Sequence, residues 1–353
     1  MNSVKTAIVG ASGYSGEELV RLLLHHPHAE LTAVTSRQYA GKTLAEIFPK
    51  YAAHPVAREL KFEEPDVNSL AVKADIIFLA LPHGVAAEYA SGLMEKGKRV
   101  IDLSADFRLN HADVYREFYG KEHPAPDLLA RAVYGLPEVY HAAIEGAELV
   151  ASPGCYPTSI LLPTIPLIKA GLIKPTSIIA DSMSGVSGAG RKTEVPYLFV
   201  ECNESVRPYG VPKHRHLSEI EQELSIAAGR DITIQFIPHL IPINRGILTT
   251  LYLAPDKFFE SESELEQLNA RIGDALNEAY ADEPFVRILT DGALPDTKNV
   301  VGTNYIDIAW RLDIRTGRLI VMSAEDNIMK GASGQAIQSY NLMCGCDQTA
   351  GLV

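Results

Sequence analysis

One cysteine stands where chemistry is easiest to arrange. In Ser152-Pro153-Gly154-Cys155-Tyr156-Pro157-Thr158 an apolar strand, Glu148-Leu149-Val150-Ala151, turns into a helix that begins near Pro157 and continues through Ile160-Leu161-Leu162. Proline suits a first helical turn because its missing N–H is one the helix cannot pair anyway. Cys155 therefore falls at a helix N-terminus, where unpaired N–H groups and the positive end of the helix dipole favour the thiolate and should lower the thiol pKa. The same N–H groups can hold the oxyanion that forms when a thiolate attacks a carbonyl. The competing reading is a small cysteine buried for packing. Glycine and two prolines crowd the turn, which packing alone does not require, so the nucleophile is preferred.

A thiol nucleophile needs a partner that takes and returns a proton near neutrality, and histidine is the usual one. Lys213-His214-Arg215-His216 sets two imidazoles beside two cations, at the entry to a helix over 217–228 that carries Glu219, Glu221 and Glu223. His216 is preferred as the proton partner, with Glu219 three residues on and able to orient its ring from the same face of the first turn. Ser184-Gly185-Val186-Ser187-Gly188-Ala189-Gly190-Arg191-Lys192 joins flexible backbone to two cations, a cradle for phosphate or carboxylate. Ser187 and Gly188 are assigned there to a cofactor, and Arg191 and Lys192 to an anionic substrate; a mobile surface loop would show the same glycines.

These residues need a frame. Val4 to Val9 is a short apolar strand running into Gly10-Ala11-Ser12-Gly13-Tyr14-Ser15-Gly16, with a helix over 17–24 behind it. Strand, glycine turn and helix are the parts of a dinucleotide-binding unit, although the glycines fall as G-x-x-G-x-x-G. The second strand, Glu30 to Thr35, ends in Ser36-Arg37, where an NAD site would place a carboxylate; hydroxyl and guanidinium suit the 2′-phosphate of NADP instead. The other reading of Arg37 is a solvated surface arginine. Strands over 75–80 and 99–102 lead into Leu81-Pro82-His83-Gly84 and Leu103-Ser104-Ala105-Asp106-Phe107-Arg108, two loops at carboxyl ends of strands, where open α/β sheets bind ligands. Pro82 is assigned to the cofactor and Arg108 to the substrate.

Beyond Cys155 strands are expected near 177–181, 232–237, 247–254, 305–313 and 319–324, with helices over 217–228 and 262–280 and a last helix over 334–343. Short links between strand pairs read as antiparallel. The expected architecture is α/β: a Rossmann-type nucleotide-binding domain over 1–150, and an α+β dehydrogenase-type catalytic domain with a mixed sheet over 151–325. The C-terminal segment 326–353 is expected to pack back on the first domain.

Composition sets the outer bounds. A chain of 353 residues exceeds one ordinary core. A net charge of −12 argues against general nucleic-acid binding and requires an anionic substrate to meet a local cluster of cations, for which Arg108, Arg191, Lys192, Lys213, Arg215 and Arg245 are the candidates. Four cysteines form neither a disulfide framework nor a common zinc pattern, so no metal is expected. The absence of a signal-like N-terminus or a membrane-length apolar run reads as a cytoplasmic protein.

Taken together, the glycine turn 10–16, Leu81-Pro82-His83-Gly84, Asp102-Leu103-Ser104-Ala105-Asp106-Phe107-Arg108, Tyr134-Gly135-Leu136-Pro137-Glu138, the Cys155 turn, His214-Arg215-His216 and Asp326-Asn327-Ile328-Met329-Lys330-Gly331-Ala332-Ser333-Gly334-Gln335 make the chain closely resemble the N-acetyl-gamma-glutamyl-phosphate reductase family over its whole length. Ser333 stands where that family more often has alanine. The resemblance implies NADPH-dependent reduction of an acyl phosphate to an aldehyde in arginine biosynthesis, through a thioester on Cys155 with His216 as acid/base. His214, Arg215, Glu219 and Arg245 are also assigned to the substrate, and a homo-oligomer is expected. Two other readings stay open: an aspartate-semialdehyde dehydrogenase or lysine-pathway reductase with the same chemistry, and a noncatalytic NADP-binding redox sensor.

Overall fold

A computed structural model describes every residue except 1, 2, 192, 258 and 260. Two compact units result: the chain through Gly154 together with Ala332–Val353, and Cys155–Gly331. The divisions thus fall a few residues after 150 and 325, the positions expected from sequence.

In the first unit seven strands form a wholly parallel sheet: β1 (Val4–Val9), β2 (Ala29–Thr35), β3 (Phe62–Glu63), β4 (Ile76–Leu79), β5 (Arg99–Asp102), β6 (Ala132–Tyr134) and β7 (Leu149–Ala151). Their order is β3-β2-β1-β4-β5-β7-β6. The chain winds outward from β1 to β3 and then crosses to β4, so the switch point lies between β1 and β4. The loops after those two strands, 10–16 and 81–84, both open there. β1 from Thr6 onward and the whole of β4 are buried on both faces, as a sheet covered by helices on each side requires.

The last helix, Gly334–Met343, is buried along its whole length in this unit although it carries Gln335, Gln338, Ser339 and Asn341. Two of its amides are bonded deep in the unit: Gln338 Nε2 to Glu138 at 3.0 Å and to Gln348 at 2.9 Å, and Asn341 Nδ2 to the carbonyls of Gln348 and Ala350, both at 2.9 Å. Asn341 Oδ1 also meets His26 Nε2 at 2.8 Å. Polar groups so deep would cost stability if unpaired, so these bonds offset part of the cost of burying a polar helix.

The second unit is a seven-stranded mixed sheet built from β8 (Ile179–Ser184), β9 (Arg207–Pro208), β10 (Gln235–Leu240), β11 (Ile247–Leu253), β12 (Val286–Ile288), β13 (Ile306–Asp313) and β14 (Arg318–Glu325). The order is β12-β13-β14-β11-β8-β10-β9. β13–β14 is antiparallel across its short link as expected, but β10 and β11, also joined by a short link, do not pair and instead flank β8; β11–β14 is antiparallel, and β8–β10 and β12–β13 are parallel, because longer stretches of chain intervene. β8 starts later than expected, since Pro175–Ser177 is a turn of 3₁₀ helix.

Helix Cys155–Lys169 packs on β11 and β14, with helices Arg215–Ala228 and Glu262–Tyr280 against it. β11 alternates accordingly: Ile247, Thr249, Leu251 and Leu253 are buried under the helices, whereas Tyr252 is exposed on the far face. No helix among the described residues is long and apolar enough to cross a membrane.

Candidate active site

The helix expected to begin near Pro157 begins at Cys155 itself. Pro157 tolerates this because the third helical position still lies among the four whose N–H has no partner inside the helix. From Leu149 to Ile168 every residue is buried except Cys155. One thiol therefore reaches solvent from a wall of packed side chains. Cys344 and Cys346 are partly exposed to a similar degree, and burial pushes their thiols up, so those two stay protonated at neutral pH.

Around Cys155 the second unit gathers aromatic rings. Tyr156 Oη meets Tyr209 Oη at 2.8 Å, and the Tyr156 ring lies edge-on to His214 and 5.9 Å from His216. Burial holds both tyrosine hydroxyls well above their usual range; a thiolate at Cys155 pushes each further in the same direction. Both remain donors at neutral pH.

The two histidines of 213–216 separate in role. His214 is the N-cap of helix Arg215–Ala228: its Nδ1 accepts from the His216 N–H at 3.1 Å. Burial, with Arg215 adding to it, lowers its pKa to about 4, so the ring is neutral and fixed. His216 lies inside the first turn. Glu219 is one turn further along the same helix, 1% exposed. Lys213 and Arg215 are exposed.

Of the remaining expected substrate cations, Arg245 is paired with the fully buried Asp326 at 3.6 Å. Asp326 also accepts from the Gly302, Ile328 and Met329 N–H groups at 2.7, 2.7 and 3.1 Å. Arg191 is exposed, and Lys192 lies outside the described residues. Ser187 is buried in the turn Val186–Ala189, where its hydroxyl accepts from Asn327 Nδ2 at 2.9 Å, and Gly188 follows it.

Two features of this unit were not assigned from sequence. Glu325, fully buried, ends β14, which runs one residue beyond the expected strand; a carboxylate closing an apolar strand was the available signal. A Cβ on Gly331 would lie 2.7 Å from Cys155 Cβ and 3.0 Å from Glu325 Oε1. Glycine is needed there because the 326–331 segment passes directly against the cysteine.

Arg108 belongs to the first unit. It donates from Nε to the Ser152 carbonyl at 2.7 Å and from Nη2 to the Leu103 carbonyl at 2.9 Å, bracing the chain three residues before Cys155. Nearby, Asp106 accepts from the Gly84 and Ala87 N–H groups at 2.6 and 3.1 Å and so holds the loop after β4. Burial, reinforced by Asp106, raises the Asp102 carboxyl to about 7.

At the same carboxyl edge of the first sheet, after β1, the glycine turn fits a dinucleotide. A Cβ on Gly10 would meet the Ala80 carbonyl oxygen at 2.4 Å, and one on Gly16 the Gly10 carbonyl oxygen at 2.3 Å, so the protein's own backbone demands both. A Cβ on Gly13 would meet nothing nearer than Gly10 O at 3.7 Å. The middle glycine thus leaves space that the protein does not fill, at the start of helix Tyr14–Leu24, which has no side-chain cap. Ser12 Oγ meets Ser36 Oγ at 3.0 Å, tying the turn to the end of β2 beside the exposed Arg37. Ser15 contributes its carbonyl to Ser333 Oγ at 2.9 Å, and Tyr14 and Pro82 are exposed. Among the described residues no cluster could hold a metal ion.

Comparison with known proteins agrees with these two units. Residues 5–147 match the family model for the semialdehyde dehydrogenase NAD-binding domain, and 155–327 the one for the semialdehyde dehydrogenase dimerisation domain. Solved aspartate semialdehyde dehydrogenases share the fold at low identity: the Vibrio cholerae enzyme II complexed with ASA has TM-score 0.71, 15% identity and coverage of 98% and 99% of the two chains. The Candida albicans enzyme with NADP has TM-score 0.68, 15% identity and coverage of 97% and 99%. Fold and cysteine turn define a semialdehyde dehydrogenase-type protein that uses a pyridine nucleotide.

Curated relatives narrow this. The N-acetyl-gamma-glutamyl-phosphate reductase of Akkermansia muciniphila is 57% identical over 353 residues, covering 100% of this chain and 99% of its own. That of Desulfotalea psychrophila is 52% identical over 350 residues, covering 99% and 98%. The chain belongs to the N-acetyl-gamma-glutamyl-phosphate reductase family.

Proposed function

We propose that the protein reduces N-acetylglutamyl 5-phosphate to N-acetylglutamate 5-semialdehyde and phosphate with NADPH, in arginine biosynthesis, through a thioester on Cys155. The observation that carries this is a partly exposed thiol at the head of an otherwise buried helix, in a chain whose relatives bear that enzyme name. The Cys155 sulfur attacks the acyl carbon, a C–S bond forms, and phosphate leaves with the C–O pair. NADPH, when bound, supplies the hydride that reduces this thioester to a thiohemiacetal. His216 holds the proton on the hemiacetal oxygen and takes it back as the C–S bond breaks and the aldehyde departs. First-turn backbone dipoles stabilise negative charge on that oxygen in both steps.

Gly10, Ser12, Gly13, Tyr14, Ser15 and Gly16 receive the pyrophosphate, and Ser36 with Arg37 the 2′-phosphate, which selects NADP over NAD; Pro82, Ser187 and Gly188 complete the cofactor contacts. Arg108, Arg191, Lys192, His214, Arg215, Glu219 and Arg245 serve the substrate, with His214 acting as a neutral hydrogen-bonding ring. The protein works in the cytoplasm as a homo-oligomer. Ile179, Met183 and Tyr252, exposed on the sheet face away from the helices, support a partner copy there.

The test runs the reaction backwards, following NADPH formation from N-acetylglutamate semialdehyde, phosphate and NADP, with aspartate semialdehyde as competitor. A missing methylene is worth about 1–3 kcal/mol, and polar groups left unpaired without the acetamido group add to it. Comparable kcat/KM for the two aldehydes would move the protein to the aspartate-semialdehyde class, and a rate independent of phosphate would end the acyl-phosphate reading.

A further inference from the structure

Pro163 and Pro166 lie inside the helix that Cys155 begins. Each removes the N–H that would bond the carbonyl four residues back, so Ser159 and Leu162 lose their helical donors. Both carbonyls are taken by hydroxyls from elsewhere in the unit. Ser323 Oγ donates to the Ser159 carbonyl at 2.6 Å, and the Tyr280 hydroxyl donates to the Leu162 carbonyl. The Ser159 side chain is engaged too: its Oγ donates to the Tyr156 carbonyl at 2.9 Å and meets Thr249 Oγ1 at 2.8 Å, which meets Ser182 Oγ at 2.8 Å. Register sets Ser182, Thr249 and Ser323 side by side on β8, β11 and β14, each fully buried.

Proton counting orients this row. A carbonyl only accepts, so Ser159 spends its one hydroxyl proton on Tyr156 and must accept from Thr249; Thr249 must then accept from Ser182. The chain runs one way, Ser182 to Thr249 to Ser159 to the Tyr156 carbonyl, and it ends in the first helical turn beside the thiol. Ser323 grips the next turn. Apolar side chains of suitable size would pack the helix on the sheet, but they specify its rotation and slide less sharply than a satisfied buried polar row.

We propose that Thr249, with Ser159, Ser182 and Ser323, forms a set of positioning residues that hold the Cys155 thiol in its reactive place. None of them needs to touch substrate. The inference rests on the reading of Cys155 as nucleophile. A displacement of 1 Å at a reacting atom can cost about a hundredfold in rate, so the row can matter to turnover beyond its share of stability.

The experiment compares Thr249→Val, which keeps shape and loses the hydroxyl, with Thr249→Ser, which keeps the hydroxyl, and Ser182→Ala, which removes only the outer donor. Readouts are kcat and KM for N-acetylglutamate semialdehyde, the melting temperature, and the rate of iodoacetamide alkylation at Cys155, located by peptide mass. Thr249→Val should lower kcat and the alkylation rate at least about tenfold with KM nearly unchanged, Ser182→Ala should lie between, and Thr249→Ser should return toward wild type. A lower melting temperature with kcat and alkylation unchanged would make the row purely structural and overturn the proposal, as would a Thr249→Ser variant no better than Thr249→Val. If Thr249→Val does not fold, Ser182→Ala decides: unchanged alkylation overturns the proposal. Wild-type protein that stays active after alkylation at Cys155 would overturn the nucleophile assignment and this inference with it; a wild type silenced by alkylation leaves only the row in question.

Discussion

Helix Tyr14–Leu24 and helix Cys155–Lys169 both follow strands of the parallel sheet, β1 and β7, yet the turns that enter them are built in opposite ways. The first is a string of glycines, two forced by neighbouring backbone and one, Gly13, left facing open space. The second is packed on every side, and a single side chain emerges from it. A turn that binds a ligand must keep volume empty and N–H groups bare, so side chains are removed. One that makes a side chain react must hold it still, so everything around it is filled and its helix is gripped by buried hydroxyls.

If that division holds, the largest rate losses belong to the second turn. His216→Asn should lower kcat by about 10²- to 10⁴-fold, the span of general acid–base catalysis. His214→Asn should cost less, because His214 acts as a cap through Nδ1 and asparagine can accept the same N–H. Steady-state kinetics of the two variants side by side check this, and a larger loss at His214 would reverse the roles.

A smaller effect is expected at the first turn, and of a different kind. Arg37→Asp should weaken NADPH by about 2 kcal/mol, some thirtyfold, relative to NADH, by replacing a charge-assisted phosphate contact with repulsion. Because this turn only binds, kcat at saturating NADPH should stay near wild type. An unchanged NADPH/NADH preference would remove Arg37 from the site, and a fall in saturated kcat would blur the contrast between the turns.

The smallest effect contrasts the two units through pH. Asp102, in the first, has a folded pKa raised to about 7 from 3.8, so the folded state holds its proton more tightly and this group favours folding increasingly as pH falls from about 7 to 4. His214, in the second, is lowered to about 4 from 6.5, so its neutral ring favours folding above about 6.5 and that contribution is lost as pH falls toward 4. Each slope is at most about 1.4 kcal/mol per pH unit. Hydrogen exchange in β5 and in helix Arg215–Ala228 between about pH 5 and 7, corrected for intrinsic rates, should show opposite contributions that Asp102→Asn and His214→Asn respectively flatten. Matching slopes, or slopes the substitutions leave untouched, would contradict them.

Much of this was legible in the chain. Local pattern sufficed for β1, the glycine turn, the helix over 262–280 and the last helix, because strand runs, glycine placement and helical periodicity act over a few residues. It also marked Cys155, since the strand-to-helix turn is itself a local feature. Less visible was Glu325, one residue past the apolar run of β14, and the parallel pairing of β8 with β10, which depends on where the intervening chain packs.

By itself the sequence determined which residues could react and which turns would carry them: a cysteine before Tyr156-Pro157, imidazoles at 214 and 216, glycines at 10, 13 and 16. Only the tertiary structure decided what each was free to do. It spent His214 on a cap, tied Arg245 to Asp326, brought Gly331 against Cys155, and aligned three hydroxyls from distant strands beneath one helix. The physical reason is range: dipoles, caps and turns are set within about one helical turn of sequence, whereas desolvation, pairing and hydrogen-bond direction depend on neighbours that only the folded chain brings together.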